Sequence, residues 1–358
     1  MKAAIISQRS ISSKWIVEAL KKYFEVADDL DIREIEVNTS GKLEVLYKGE
    51  TIKDYDCVYI KGSFRYRPLM RAIATAVQGK SYTPILPNSF TTANDKILTQ
   101  IELQKNNIAM PKTYLASSTD AAKRILENLN YPLILKFPSG TQGKGVMVAD
   151  SYAAASSLLD AMSALKQPVL IQEYIETGGI DTRAIVVGEK IVASMCREAK
   201  KGDVRSNIHA GGTGKSCELD QKTKKIAIDA AKVIGAEICG VDILQGIKGP
   251  MVIEINLSPG LQGVTKATKI DVADKIASFL YQKTKEFKEK GASKMMKEEV
   301  LKDDKIKELI TNLDFRGERI LLPSTISNLT KFNDKDEYCI KAEKGSLSIT
   351  KYCSTEEE

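Results

Sequence analysis

Three oxygen-bearing side chains, Asp242, Glu254 and Asn256, lie within one short stretch, GVDILQGIKGPMVIEINLSPG, from Gly240 to Gly260. The stretch reads as two apolar strands, Gly240–Leu244 and Pro250–Leu257, joined by a turn at Gly246–Gly249. Residues i and i+2 of a strand share a face, so Glu254 and Asn256 project together. A hairpin pairing sets Asp242 opposite them. Two carboxylates and an amide oxygen form a hard-oxygen set suited to Mg²⁺ or Mn²⁺. Spacing alone equally admits satisfied polar groups at a strand edge, since charge inside apolar strands needs a partner of some kind.

Other stretches carry groups suited to a phosphate-bearing ligand. PSGTQGKG joins a strand over Pro132–Phe137 to one over Val146–Ala149, with Lys136 before it and Lys144 inside it. Backbone N–H groups of Gly140, Thr141, Gln142, Gly143 and Gly145 can close over phosphates, because glycine tolerates unusual φ/ψ. A loop between two strands differs from the phosphate loops that feed a helix, and a plain hairpin tip fits the same residues. Lys61, Arg65, Arg67 and Arg71 follow the strand Tyr55–Ile60. They suit either an anionic substrate outside a strand end or a solvated charged face. A polar stretch from Glu198 to Ser216 holds Arg205, Ser206, Asn207 and the only histidine, His209; a long loop in a compact domain favours function, while the lone histidine reads as incidental.

The elements that must position these groups follow from periodicity. Lys2–Ser7 and Tyr55–Ile60 read as buried strands. An apolar-periodic helix runs through Trp15, Ala19, Leu20 and Tyr23, with Trp15 expected in the core. A helix starts near Pro68, another runs from Asn94-Asp95-Lys96 to about Asn106, and a third covers Thr119–Leu129. Val169–Ile175, Thr182–Val187 and Lys190–Cys196 read as strands. Helices Asp220–Gly235, behind the acidic hairpin, and Asp271–Lys288 complete the pattern. From Gln282 to Ile310 the chain is rich in lysine and glutamate, a solvated helical linker. Glu318–Pro323, Glu337–Ala342 and Ser346–Lys351 are short β-like stretches in a piece too small to stabilise itself readily, and Ser354–Glu358 is an expected disordered tail.

The 358 residues suffice for two or three domains, and 43% hydrophobic with 28% charged residues describe an ordinary globular chain. A net charge of +6 suits anionic ligands but does not by itself point to nucleic acid. Six cysteines without CxxC spacing predict reduced thiols in a cytoplasmic protein, and no run approaches a membrane span or a signal peptide.

Taken in order, LKFPSGTQGKGV, QEYIETGGIDTR, REAKKGDVRSNIHAGG and GVDIL…GPMVIEINLSPGLQG resemble the ATP-grasp superfamily, and within it the RimK-type glutamate and amino-acid ligases. The resemblance implies an α/β and α+β architecture. Residues 1–90 form an N-terminal pre-ATP-grasp α/β domain, 91–282 a two-subdomain ATP-grasp fold, 283–314 the charged helical linker and 315–353 a small C-terminal β domain similar to AbrB-type swapped hairpins. It further implies ATP between two subdomains. Lys96, Lys136 and Gly140, Thr141, Gln142 and Gly143 would lie at the phosphates, Glu173, Tyr174 and Ile175 at the adenine hinge, and Asp181 at the ribose. Arg205, Ser206 and Asn207, with Arg197, would meet the triphosphate or an acyl-phosphate. Asp242, Glu254 and Asn256 fall on the family's Mg²⁺ or Mn²⁺ positions, expected to hold two ions.

The implied reaction joins an amino acid, L-glutamate first, to a carboxylate-bearing acceptor, a small molecule, cofactor or protein C-terminus, through an acyl-phosphate. Lys61, Arg65, Arg67, Ser258 and Gly260 are the expected substrate contacts. KGSFRYRP departs from the proline-arginine motif of the ribosomal-protein ligases, which leaves the acceptor open. A hydroxyl-phosphorylating ATP-grasp kinase and a nucleotide-sensing DNA-binding regulator are the alternative readings. A homodimer or tetramer is expected, without membrane contact, and DNA is a lesser expectation as partner.

Overall fold

The computed structural model describes residues 1–137, 145–164, 168–199, 213–302, 314–323, 326–327 and 330–352. The chain separates into two units, Met1–Glu286 and Phe287–Glu358.

The first unit opens with β1 (Lys2–Ser7), α1 (Ile11–Leu20), β2 (Val26–Asp31), β3 (Ile35–Asn38), β4 (Glu44–Tyr47), β5 (Glu50–Thr51), β6 (Cys57–Ile60) and α2 (Arg67–Val77). β1 pairs in parallel with β2 on one side and β6 on the other. Its run of alanine and isoleucine is buried on both faces, as a parallel strand covered by helices requires. β3, β4 and β5 form a small antiparallel sheet. Ser10 caps α1 by accepting from the Ser13 N–H. The buried stripe of α1 is Ser12, Ser13, Ile16, Val17, Ala19 and Leu20. Trp15, expected in the core, is instead 39% exposed, because its α1 position shares the outer face with Ile11 and Glu18.

After α3 (Ser89–Thr92) and α4 (Lys96–Lys105) comes a four-stranded antiparallel sheet. It is built from β7 (Thr113–Ala116), β8 (Leu133–Lys136), β9 (Val146–Ala149) and β10 (Val169–Glu173), in the order β7-β10-β8-β9. Helices α5 (Thr119–Leu126) and α6 (Tyr152–Ala164) pack on it around Leu126, Leu133, Leu135, Leu159 and Ile171. Burying each such side chain contributes about 1.5–3 kcal/mol.

A five-stranded antiparallel sheet follows, from β11 (Ile180–Val187), β12 (Lys190–Glu198), β13 (Thr213–Ser216), β14 (Ile238–Gly246) and β15 (Gly249–Asn256), in the order β13-β12-β11-β14-β15. Helix α7 (Gln221–Ile234) packs behind β14 and β15. Asp220 caps its start, and Gly235 ends it in the left-handed region at φ 77°. α8 (Gln262–Thr268) and α9 (Val272–Lys302) close this part of the chain. The sequence reading lacks β2, β3, β4, β5, α3, α6 and α8, and it turns the polar stretch before Ser216 into loop where β13 forms.

The cysteine expectation needs correction. Cys196 and Cys217 are joined in a disulfide, with Cα atoms 5.7 Å apart. The β12–β13 ladder sets Cys196 opposite Lys215, which brings Cys217, two residues on, to the same face. Cys57, Cys239 and Cys339 are free thiols.

In the second unit β16 (Asp314–Arg316) pairs with β17 (Arg319–Leu321), and β18 (Tyr338–Glu343) with β19 (Ser346–Lys351), as two hairpins. Phe315, Ile320, Leu321, Ile340 and Leu347 stay exposed on them. The expected disordered tail, Ser354–Glu358, lies outside the described residues. No helix among the described residues is long and apolar enough to cross a membrane.

Candidate active site

The acidic hairpin forms as β14 and β15, and its register pairs Asp242 with Glu254 and Gly240 with Asn256. Ladder partners share a face, so the three oxygen-bearing side chains project to the same side. A bulge leaves Ile253 without a partner, because Ile243 pairs with Val252. Such an extra residue re-aims the side chains beside it. Gly240 lies close under Pro259: a Cβ on it would sit 3.1 Å from the Pro259 Cβ, a tight contact.

Asp242 is 3% exposed and holds guanidinium groups on both oxygens. Arg183 donates from Nε at 2.7 Å and from Nη2 at 2.6 Å. Arg197 Nη2 lies 3.0 Å from Asp242 Oδ2, and Arg197 also clamps both oxygens of Asp181. Burial pushes the Asp242 carboxyl up, but Arg183 and Arg197 outweigh it and hold it below its ordinary value. In Arg197 burial likewise opposes the charge, and the Asp242 and Asp181 carboxylates overcome it and raise the pKa. Asp181, expected at a ribose, is thus a partner of Arg197. Arg183 is absent from the sequence reading; alternation puts Asp181 and Arg183 on one strand face, but only the β11–β14 register sets Arg183 opposite Asp242.

Glu254 differs. Among the described residues no hydrogen-bond donor reaches its carboxylate, and burial first, then the Asp242 charge, raises its pKa. The charges of Lys96, Arg183 and Lys136, in that order, oppose the rise. Lys136 is buried at the end of β8, where its Nζ donates to Gln172 Oε1 at 2.8 Å. Gln172 in turn donates to Thr113 Oγ1 at 2.6 Å. Burial, with the Lys96 charge added, presses the Lys136 ammonium down to about 8. Lys96 begins α4, behind the Asp95 cap. An acid without a donor and two lysines that repel each other are matched by a divalent cation and a polyphosphate respectively. The oxygen set Asp242, Glu254 and Asn256 has the chemistry Mg²⁺ prefers.

Glu173, Tyr174 and Ile175 stand where β10 of the four-stranded sheet passes toward β11 of the five-stranded one. Glu173 accepts from the Lys112 N–H at 2.8 Å. Ile175 packs so close that a Cβ on Gly246 would come within 2.9 Å of its Cγ2. A cavity of about 250 Å³ opens beside β15, lined among others by Gly62, Ser63, Phe64, Lys96, Glu254 and Ser258.

The N-terminal basic cluster splits. Arg65 is exposed and Arg67 half-buried, but Lys61 is only 3% exposed. Lys61 continues the buried edge of β6, its N–H donating to the Ile6 carbonyl at 2.8 Å, and at Gly62 the backbone lies close to Met70, whose Sδ a Cβ would meet at 2.9 Å. Ser258 accepts from the Gly62 N–H at 3.0 Å, and Gly260 is exposed on the same segment. Gly140, Thr141, Gln142, Gly143, Arg205, Ser206, Asn207 and His209 lie outside the described residues.

Comparison with known proteins agrees with this geometry. Residues 93–280 match the RimK-like ATP-grasp domain. A probable alpha-L-glutamate ligase of Thioalkalivibrio sulfidiphilus is 36% identical over 288 residues, 79% of this chain and 96% of that protein. A probable alpha-L-glutamate ligase 2 of Pseudoalteromonas atlantica is also 36% identical, covering 80% of this chain and 97% of its own length. Among solved structures, the RimK domain ATP-grasp protein of Sphaerobacter thermophilus superposes with a TM-score of 0.62 at 17% identity, over 78% of this chain and 99% of that one. The ATP-grasp ligase PsnB, in complex with a precursor variant, Mg and ADP, gives 0.61 at 18% identity, over 79% and 98%. The fold, the facing oxygen and lysine groups, and the extent of these matches lead to one assignment. The chain belongs to the RimK-like ATP-grasp family and is an ATP-dependent carboxylate–amine ligase.

Proposed function

We propose that this ligase joins L-glutamate, or an amino acid like it, through its amine to a carboxylate on a protein tail, a cofactor or a small molecule. One observation carries the reading: Asp242, Glu254 and Asn256 share a sheet face on which the half-buried Glu254 is neighboured by the charges of Lys96 and Lys136. The naming of 36% identical relatives as alpha-L-glutamate ligases supports the amino acid.

On this reading Asp242, Glu254 and Asn256 hold Mg²⁺ or Mn²⁺, as one ion or two. The metal supplies charge neutralisation between the phosphates and the incoming carboxylate. Lys96 and Lys136 bind phosphate oxygens, with residues Gly140, Thr141, Gln142 and Gly143 closing over them. Glu173, Tyr174 and Ile175 border the base. Arg197 stays fixed by Asp181 and, with Arg205, Ser206 and Asn207, faces the transferring phosphoryl group. The acceptor carboxylate oxygen attacks the γ-phosphorus of ATP and ADP leaves. The amine nitrogen then attacks the acyl carbon, phosphate departs, and the surplus proton goes to solvent. Orientation and charge stabilisation carry both steps, so no enzyme nucleophile is required. Arg65, Arg67, Ser258 and Gly260 contact substrate.

A cytoplasmic setting supplies the ATP. The exposed apolar side chains of the two C-terminal hairpins suit pairing with a second copy of the chain. The test is ADP release across a panel of amino acids and carboxylate acceptors, with mass spectrometry of the product. An amide product that requires both partners is expected; a phosphorylated hydroxyl without amide would overturn the reading.

A further inference from the structure

Two lysines are buried among the described residues, Lys136 and Lys61. Lys136 has Gln172 as an acceptor and Glu254 as a neighbouring charge. Lys61 has neither. It follows β6 at the carboxyl edge of the N-terminal parallel sheet, where its N–H donates to the Ile6 carbonyl at 2.8 Å. Its side chain passes the Tyr59 ring, with Nζ 5.3 Å from the ring centre. The ammonium ends 3.5 Å from the Pro259 carbonyl oxygen, its one acceptor among the described residues. Burial alone lowers its pKa, to about 8, with no carboxylate to offset the loss of water. A cation so placed weakens the fold, and an apolar side chain of similar length would fill the same space at lower cost. Its use therefore lies outside folding.

Pro259 stands three residues past Asn256, on the segment that ends β15. That segment is tied to the N-terminal domain at three points. Lys61 reaches the Pro259 carbonyl, the Gly62 N–H donates to Ser258 Oγ at 3.0 Å, and the Leu261 N–H donates to Ser12 Oγ at 2.8 Å. The second and third ties involve neutral groups and are indifferent to what sits beside β15. Of the three ties only that of Lys61 carries a charge, and it holds the segment whose Ser258 lines the same cavity as Gly62, Ser63, Glu254 and Asn256.

We propose that Lys61 is a positioning residue, whose ammonium fixes the Pro259 carbonyl and thereby sets Glu254 and Asn256 for the metal–nucleotide complex. The inference rests on the reading of those two side chains as metal carriers. It makes the N-terminal domain part of the metal site's supporting shell, a role whose loss typically costs about 10–100-fold in metal affinity or activity.

The experiment uses the full chain as Lys61→Met, Lys61→Arg and Lys61→Gln. Four quantities are measured: unfolding without ligand, ADP binding in EDTA, Mg²⁺ titration of ADP binding by calorimetry, and kcat and KM for each substrate. Lys61→Met should be at least as stable as the parent and bind ADP in EDTA equally. It should require about 10–100-fold more Mg²⁺ and lose kcat to a similar degree, and Lys61→Arg should restore most of both. A less stable Lys61→Met or Lys61→Gln with unchanged Mg²⁺ response would make Lys61 merely structural and overturn the proposal. A raised KM for one carboxylate substrate alone, with the Mg²⁺ response intact, would also overturn it by making Lys61 a direct substrate contact. Glu254→Gln measured alongside separates the two readings. If Glu254→Gln keeps the Mg²⁺ response the metal assignment fails; if it loses that response while Lys61→Met keeps it, only Lys61 is misassigned.

Discussion

Asp242 lies directly across the β14–β15 ladder from Glu254, yet the two carboxyls have opposite surroundings. Asp242 carries two guanidinium groups, and Glu254 receives no hydrogen bond from the described residues. A carboxylate oxygen offers two lone pairs. Oδ2 of Asp242 uses both, on Arg183 and Arg197, and Oδ1 uses one, on Arg183, so one site remains for a cation. Glu254 keeps its full capacity.

Glu254→Gln should therefore remove activity without harming the fold. The amide leaves one oxygen for a cation and no charge, and turnover should fall by about 10²–10³-fold, as when a charge-stabilising group is lost from a preorganised site. Because a half-buried carboxylate beside the Asp242 charge goes too, the unfolding midpoint should hold or rise. Steady-state ADP release and urea unfolding of the same preparation check both halves. Retained turnover would dismiss Glu254 as a metal carrier.

Arg197→Met should lose stability as well as activity. Arg197 is 2% exposed and bridges Asp181 and Asp242, so its removal takes a bidentate guanidinium from the buried Asp181 and leaves the buried Asp242 with Arg183 as its guanidinium partner. Breaking such a pair typically costs about 3–5 kcal/mol. The Asp242 carboxyl is held below its ordinary value in the parent, so its stabilising share is present above the unfolded value and fades as pH falls through the folded one. The gap between parent and variant, read from urea unfolding, should accordingly narrow below about pH 4. Asp181→Asn added to Arg197→Met should recover part of the loss; no recovery would mean the two side chains are uncoupled.

The acidic hairpin was legible in sequence because its information is local: a turn joins the two strands, and period-two alternation fixes which side chains share a face. Lys96 was legible through the Asp95 cap that starts its helix. What sequence left hidden depends on strands distant in the chain. Arg183 meets Asp242 only because β11 pairs with β14, and no local pattern states that register. Trp15 looked like core because it is apolar and helical, but the side of α1 that faces inward is chosen by β1 and β2. Lys61 reads from sequence as a substrate contact or part of a solvated face, and only the distant segment at Pro259, which its ammonium meets, shows that it is buried.

The disulfide is of the same hidden kind, and it has a measurable consequence. Cys196 and Cys217 enclose a loop with a sequence separation of 21. Closing a loop of that size stabilises by about 3 kcal/mol on the chain-entropy model. Cys217→Ser, or the parent after reduction, should unfold at correspondingly lower urea. Intact mass under non-reducing conditions should be lighter than the reduced chain by two hydrogens. An unchanged mass and midpoint would show that the thiols stay apart in solution.

Lys136 provides the pH dependence. Burial, with the Lys96 charge next, lowers its pKa from 10.5 to about 8. Between those values the unfolded chain holds a proton that the folded chain has released, so ligand-free stability rises with pH across that window. Below about 8 the penalty is present in full, worth about 3 kcal/mol at 1.36 kcal/mol per pKa unit. Lys136→Met should thus gain up to that amount at neutral pH, less about 1 kcal/mol for the lost Gln172 hydrogen bond, and the gain should vanish as pH approaches 10.5. Nucleotide works in the other direction. Phosphate oxygens beside the ammonium favour its charged form, so ADP binding should take up a proton near and above pH 8 and weaken as pH rises further. Calorimetry in two buffers of different ionisation enthalpy reads that proton directly. In Lys136→Met the affinity should be lower at pH 7, and both the proton uptake and the alkaline weakening should be gone. A variant that keeps the parental alkaline fall in ADP affinity would take Lys136 out of the phosphate site and leave Lys96 as its cation.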